Sequence, residues 1–467
     1  MRTQPFNDAH RLFPSEPGTR AIASDLYDRV AELPILSPHG HVEARALAEN
    51  RPFANPAELL ILKDHYVTRV MHSRGVGLSE LGQGDEVSDP RAVWRLFCER
   101  WHEFTGTASS YWLTQELSQQ FGISGELTGA DADVTYDIIE AALASAEFLP
   151  QALFNSFNIS ALATTDDPLD SLEYHAALRD GGQLAGAVLP TFRPDAYIDP
   201  ASPDFVSNAK RLLGVAGHNS TTFSSFLYAM RVRRDHFIAH GAVSADHGVV
   251  EPFTADIDSN EAERLFQGAM RCELDVSQAR VLRGHLLFQM AKMSVEDGLV
   301  MTIHAGVFRN HHTPTFAKYG PDTGHDIPVR TDFTNNLRPL LQHFGAEPTL
   351  NLVLFTVDES AFSRELAPLA GFYPSVYVGA PWWFLDAPDA TQRFRSAVTE
   401  TAGFYKTSGF VDDTRAFLSI PVRHDASRRL DAGFLARLVA EGRVTMPAAE
   451  RIIVDLVDAI PREVFKL

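Results

Sequence analysis

Only two cysteines, Cys98 and Cys272, occur in the 467 residues. Two thiols so far apart make neither a CxxC redox motif nor a disulfide framework, so a reduced, cytoplasmic protein is expected. No apolar run approaches the ~20 residues needed to span a bilayer; TLNLVLFTVDE (349–359) soon ends in polar residues. The opening stretch MRTQPFNDAHRLFPSEPGTR lacks the apolar segment of a secretory signal. Dense Lys/Arg runs are missing as well. With 60 acidic against 41 basic residues the formal charge is -19, a poor match for a nucleic-acid or anionic membrane partner. An anionic small molecule would need a locally positive pocket, supplied by a metal or by particular arginines. Neither GxGxxG nor GxxxxGK[ST] is found, which argues against a phosphate-cradling loop on an open sheet.

What is present is ordinary globular composition, 45% hydrophobic and 22% charged. Eight short apolar runs end in polar, chemically capable residues: LPILSPHGH (33–41), ISALATTDD (159–167), AGAVLPTFRPD (185–195), GAVSADHG (241–248), GLVMTIHAG (298–306), TLNLVLFTVDE (349–359), PSVYVGAPWWF (374–384) and FYKTSGFVDDTR (404–415). Each reads as a buried strand, and helical stretches such as NEAERLFQGAMRC and QRFRSAVTETAGFY lie between them. Alternation of this kind predicts an α/β fold, a (β/α)8 TIM barrel forming one domain over 1–467. A helical insertion follows the first strand, over 45–155. In it DPRAVWRLFCERWHEF places Trp94, Phe97, Trp101 and Phe104 on one face, with Pro90 in the first turn after Asp89. GVGLSELGQGDEVSDP (75–90) reads as an exposed connector, and 196–240 as holding a further helix pair.

A barrel collects its reactive side chains at the C-terminal strand ends. Those ends carry His39 and His41, Asp166 and Asp167, Arg193, Asp246 and His247, His304, Asp358, Trp382 and Trp383, and Asp413 and Arg415. Residues two apart on a strand share a face, so His39 and His41 would both point into the mouth. Two neutral imidazoles suit a divalent ion such as Zn²⁺. First and last strands are neighbours in an eight-stranded barrel, which brings Asp413 beside them. Blander roles exist for each: a hydrogen-bonded histidine pair, Asp413 capping a helix that starts at Thr414, His304 as a core histidine, Tyr66 as packing, Arg193 in an ion-paired turn. Trp382 and Trp383 read as a wall of the pocket or as core. Arg423-His424 and Arg428-Arg429 read as a solvated face or subunit contact, with pocket lining the alternative.

Eleven segments in order and spacing carry a family resemblance: HGH, AENRPFANPAELL, KDHYVTRVMHSRGV, TTDDPLDSLEYH, LPTFRPD, SADHG, IHAGVFRN, KYGPDTGHD, APWWF, DDTRAFLS and RHDASRR. Together they make the chain resemble the uronate isomerase (glucuronate isomerase) family of the amidohydrolase superfamily. It departs from the family pattern in Ser37-Pro38 before His39, in Asp413-Thr414-Arg415, and in His311-His312 after Arg309-Asn310. The resemblance implies aldose–ketose isomerisation of hexuronates, D-glucuronate to D-fructuronate and D-galacturonate to D-tagaturonate, with proton transfer between C2 and C1. In that scheme His39, His41 and Asp413 hold one divalent metal, most simply zinc. Arg193 and Arg415 grip the carboxylate or enediolate. Tyr66 and Asp413 are the candidates for proton transfer, with His304 as a further ligand or acid/base group. His65, Arg309 and Trp383 complete the substrate pocket. The partner is a small hexuronate, and a homo-oligomer is expected. The competing reading is a mononuclear metal-dependent hydrolase of the same superfamily; a non-catalytic sugar-acid binder is a third. No lysine stands at the third or fourth strand end to bridge two metals, and paired arginines favour an anionic sugar.

Overall fold

The computed structural model describes residues 8–84, 88–217 and 220–467. Among the described residues ten short strands form: β1 (Ile35–Ser37), β2 (Ile159–Ala163), β3 (Ala187–Leu189), β4 (Thr191–Phe192), β5 (Ser244–Val249), β6 (Val300–Ala305), β7 (Val307–Phe308), β8 (Ile327–Pro328), β9 (Leu352–Thr356) and β10 (Val376–Val378). One parallel sheet runs β1-β2-β3 and a second runs β10-β9-β6-β5-β4. β3 and β4 are one predicted strand interrupted at Pro190, which has no N–H to give a ladder. An Asp166–Phe192 bridge joins the two sheets across that break.

The eighth predicted strand departs from expectation. FYKTSGFVDDTR opens as a 3₁₀ turn, Phe404–Lys406, and pairs only at Thr407, which bridges Val378. Gly409 (φ 73°) and Asp413 (φ 40°) then take left-handed backbone, which cannot continue a strand. At the mouth, the His41 N–H donates to the Thr414 carbonyl at 3.0 Å. First and last segments therefore meet through the rim rather than through a strand ladder. The result is a TIM-barrel-like α/β fold with parallel strands inside and helices outside. β7 and β8 form a separate antiparallel pair above it.

Between β1 and β2 the chain is helical: Ala44–Glu49, His65–Ser73, Pro90–Glu99, Ala108–Phe121, Ala132–Leu143 and Pro150–Ser156. Asp89 caps Pro90–Glu99 by accepting from the Arg91 N–H, with Pro90 at its start. Trp94, Phe97, Trp101 and Phe104 are all buried, the last two on a following 3₁₀ turn. They pack with Ile35, Ile159 and Leu162 in one core, so the insertion and the first two strands share a hydrophobic interior. Of the expected connector, residues 85–87 lie outside the described residues; the rest is irregular. Residues 196–240 contain the helix pair Phe205–Val215 and Phe223–Ala239. No helix among the described residues is long and apolar enough to cross a membrane.

The helix Ser419–Ala440 is buried along nearly its whole length, most of its charged residues included. Arg423, His424, Arg428 and Arg429 are each at most 7% exposed, which overturns the solvated-face reading. Each has found a partner inside. Arg428 donates to the carbonyls of Ala31, Leu33 and Pro34, just before β1. Asp431 takes Arg395 through two bonds of 2.6 and 2.8 Å. Most buried polar groups are satisfied in this way.

Candidate active site

β1 ends at Ser37, so His39 and His41 lie just beyond the strand and not on it. Their rings still stand 5.4 Å apart, edge to face. Asp413 reaches both: its Oδ1 is 3.4 Å from His39 Nε2 and 3.1 Å from His41 Nε2. Its left-handed backbone is unusual for a residue with a Cβ, and such strain persists where surrounding structure enforces it. No helix starts at Thr414, so the capping role falls away.

His304, the fifth residue of β6, is the third imidazole. Its Nδ1 meets Asp246 Oδ1 at 2.6 Å, and its Nε2 is 3.9 Å from Asp413 Oδ2. The ligand atoms of His39, His304 and Asp413 all lie within 4.8 Å of one another. His304 is therefore part of the cluster and not only core packing, and His41 joins it through Asp413. Donors about 2.1 Å from a tetrahedral ion would stand about 3.4 Å apart, close to the spacing seen. Burial pushes His39 down to about 4, below the ordinary imidazole range. Burial alone would raise the Asp413 carboxyl, but His39, His41 and His304 hold it well below the usual carboxylate range. His304 Nε2 is buried with no hydrogen-bond partner, and Asp413 Oδ1 has the His39 and His41 nitrogens beside it. Imidazole nitrogens and a carboxylate gathered this closely are what a cation would satisfy, so these residues fit a divalent metal.

A cavity of about 1040 Å³ opens above this cluster, and all ten side chains nominated from sequence line it: His39, His41, His65, Tyr66, Arg193, His304, Arg309, Trp383, Asp413 and Arg415. Arg193 bonds Asp195 at 2.8 Å and approaches Asp246 at 3.5 Å. Burial disfavours its charge, but these two carboxylates outweigh that and raise its pKa. Gly248 permits the arrangement, since a Cβ there would meet Arg193 Nη2 at 2.7 Å and Asp195 Oδ2 at 2.8 Å. Arg415 pairs with Asp322 at 3.3 Å. Arg309 pairs with Asp326 at 3.1 Å and covers the Trp383 ring at 4.5 Å. His65 stacks on Tyr66 and lies 5.1 Å from Trp383; burial, then Arg415, pushes it down to about 4. Asp64 caps the helix His65–Ser73 that presents both residues.

The sequence reading understated Asp246 and passed over Asp386. Asp246 is fully buried and takes His304, Thr302 and Arg193 at once. Its place in the SADHG strand end was the available signal. Asp386 follows the Trp-Trp segment and had no pattern to mark it.

A TIM-barrel-like α/β fold with imidazoles and a carboxylate converging at its mouth, under a cavity that arginines help to line, has the form of a barrel enzyme with a candidate metal site. Comparison with known proteins narrows the class. The glucuronate isomerase family model matches residues 18–465. A uronate isomerase of Corynebacterium efficiens is 49% identical over the full length of both chains. The crystal structure of glucuronate isomerase from Caulobacter crescentus superposes with a TM-score of 0.97 at 46% identity, covering 99% of this chain and 98% of that one. That of uronate isomerase from Thermotoga maritima gives 0.93 at 26% identity, covering 98% and 99%. The chain belongs to the glucuronate isomerase family.

Proposed function

We propose that this protein is a uronate isomerase that interconverts hexuronate aldoses with their 2-ketoses, D-glucuronate with D-fructuronate and D-galacturonate with D-tagaturonate. The observation carrying this reading is the single cavity shared by the His39–His41–His304–Asp413 cluster and the cations Arg193, Arg309 and Arg415. The reaction needs an anchor for a carboxylate, stabilisation of enediol oxygens, and an acid and a base beside C1 and C2. Arg193 and Arg415 are the anchors, each a planar fork able to take two oxygens. His39, His41 and Asp413, with His304 beside them, would hold one divalent metal, zinc being the simplest fit to a nitrogen-rich set. Such an ion supplies a Lewis acid for the oxygens of an open-chain sugar acid.

Asp413 is the proposed base, carrying the C2 proton toward C1, and Tyr66 the phenol that meets a substrate oxygen from the opposite wall. His65, Arg309 and Trp383 shape the pocket around the sugar. The hydrolase alternative is not favoured, because the full-length relatives are uronate isomerases. A soluble homo-oligomer in the cytoplasm is the expected setting.

The test is to incubate the metal-replete protein with D-glucuronate or D-galacturonate in deuterated water and follow C1 by NMR. Ketose formation that stops on chelation and returns with added divalent ion is expected. Binding without turnover of either sugar would overturn the reading.

A further inference from the structure

A second cavity, of about 710 Å³, shares Tyr66 and Trp383 with the first. The helix His65–Ser73 gives it Tyr66, Arg69, Val70 and Ser73, spaced three and four apart and so on one face. Trp383 and Phe384 and the turn Thr323–His325 supply further walls. Gly324 lets that turn lie on the helix, since its φ is 89° and a Cβ there would meet Arg69 Cβ at 2.7 Å.

Among the described residues that line this cavity, Arg69 is the one arginine or lysine and Asp386 the one carboxylate. Asp386 is already engaged. It accepts from Arg423 Nη1 at 2.8 Å and from the Tyr66 hydroxyl at 3.2 Å, which places Tyr66, Asp386 and Arg423 in series. Arg69 has no carboxylate partner among the described residues; its guanidinium lies 4.4 Å over the Phe384 ring, and burial lowers its pKa. That is the condition of a cation without a counter-ion. Thr323 Oγ1 and both ring nitrogens of His325 are buried without a hydrogen-bond partner, so this wall keeps bonding capacity unused.

Aromatic faces, hydroxyls and one uncompensated guanidinium suit a small polyol that carries a single negative charge. The C–H faces of a sugar chain can pack on Trp383 and Phe384, and a guanidinium fork takes a carboxylate through two bonds. A phosphate dianion would call for a second cation. The lining offers none in His325, whose imidazole burial holds below its ordinary value. The volume falls within the range of about 300–1000 Å³ usual for small-molecule sites. We propose that this cavity is a second binding site, for a sugar acid, with Arg69 as the anchor of its carboxylate. The assignment stands apart from whatever reaction the first cavity carries out.

Isothermal titration of the full-length, metal-loaded chain with D-gluconate, a sugar acid with no aldehyde to isomerise, counts the sites per chain. Arg69→Met keeps a long side chain over Phe384 and should weaken one site about 10-fold or more. Ser73→Trp, at an exposed position, fills the cavity while leaving the guanidinium in place, and should remove the same site. Arg193→Met, which alters only the first cavity, should retain it. Wild-type D-gluconate binding in both Arg69→Met and Ser73→Trp would overturn the proposal, as would the absence of any site in Arg193→Met. Tighter binding of D-glucose 6-phosphate than of D-gluconate at the Arg69-dependent site would overturn the assignment to a sugar acid.

Discussion

His304 and Asp246 are joined Nδ1 to Oδ1 at 2.6 Å, and the bond leaves His304 Nε2 facing Asp413 across 3.9 Å. A carboxylate on the far nitrogen fixes both tautomer and ring orientation, as in metal-bound histidines generally. Burial alone would raise the Asp246 carboxyl, but His304, His39 and Arg193 hold it well below the usual range, so it is an ionised anchor. Asp246→Asn should weaken divalent-metal affinity about 10–100-fold, measured by competition against a chromogenic chelator. Unchanged affinity would remove Asp246 from the support of the site.

Asp413 touches two imidazoles directly and faces a third. Asp413→Asn keeps the shape but loses the charge and the base. Turnover should drop by roughly 10³-fold or more, with a circular dichroism spectrum like the wild type. Near-wild-type turnover in that variant would refute the assignment of Asp413.

Arg193 is held by Asp195 and Asp246 at the wall of the cavity. Replacing it with methionine removes the fork while keeping a long side chain. KM for D-glucuronate should rise about 10-fold or more, as expected for the loss of a charged hydrogen bond. An unchanged KM excludes Arg193 from carboxylate binding.

Glu116 sits buried in the helix Ala108–Phe121, and burial pushes its carboxyl from 4.5 up to about 8. The folded chain therefore keeps a proton that the unfolded chain releases, so stability falls as pH rises through that interval and levels off above it. Glu116→Gln cannot titrate. Its Tm should gain on the wild type steadily from about pH 5 to pH 8, and the gap should then stay constant. Parallel Tm curves for the two proteins across that range would show that Glu116 is not held neutral.

Most of the architecture was legible because strand ends and burial follow local rules. Apolar runs closed by Gly, Pro or Asp found β1, β2, β5, β6, β9 and β10 within a few residues. The last segment was misread because its apolar residues look like a strand while Gly409 and Asp413 bend the backbone into the left-handed region. Residues of the candidate site were legible where polar groups sit at or just past strand ends, as at His39, Arg193 and His304, which line one cavity. The Tyr66–Asp386–Arg423 series was not, since no local pattern ties residues so far apart. The buried arginines of Ser419–Ala440 failed for a related reason: composition alone cannot distinguish an arginine facing water from one whose partners arrive from distant segments.

Arg428, on the helix Ser419–Ala440, bonds to the carbonyls of Ala31, Leu33 and Pro34, 394 to 397 residues earlier in the chain. The segment that leads to the two ligand histidines is thus fastened by residues the ribosome has yet to deliver when those histidines emerge. Asp413 arrives equally late. The surroundings of those histidines therefore depend on contacts of very long sequence separation, which close slowly. Removing the helix Ser419–Ala440 should therefore loosen the segment that leads to His39 and His41, although Asp413 and His304 lie outside that helix.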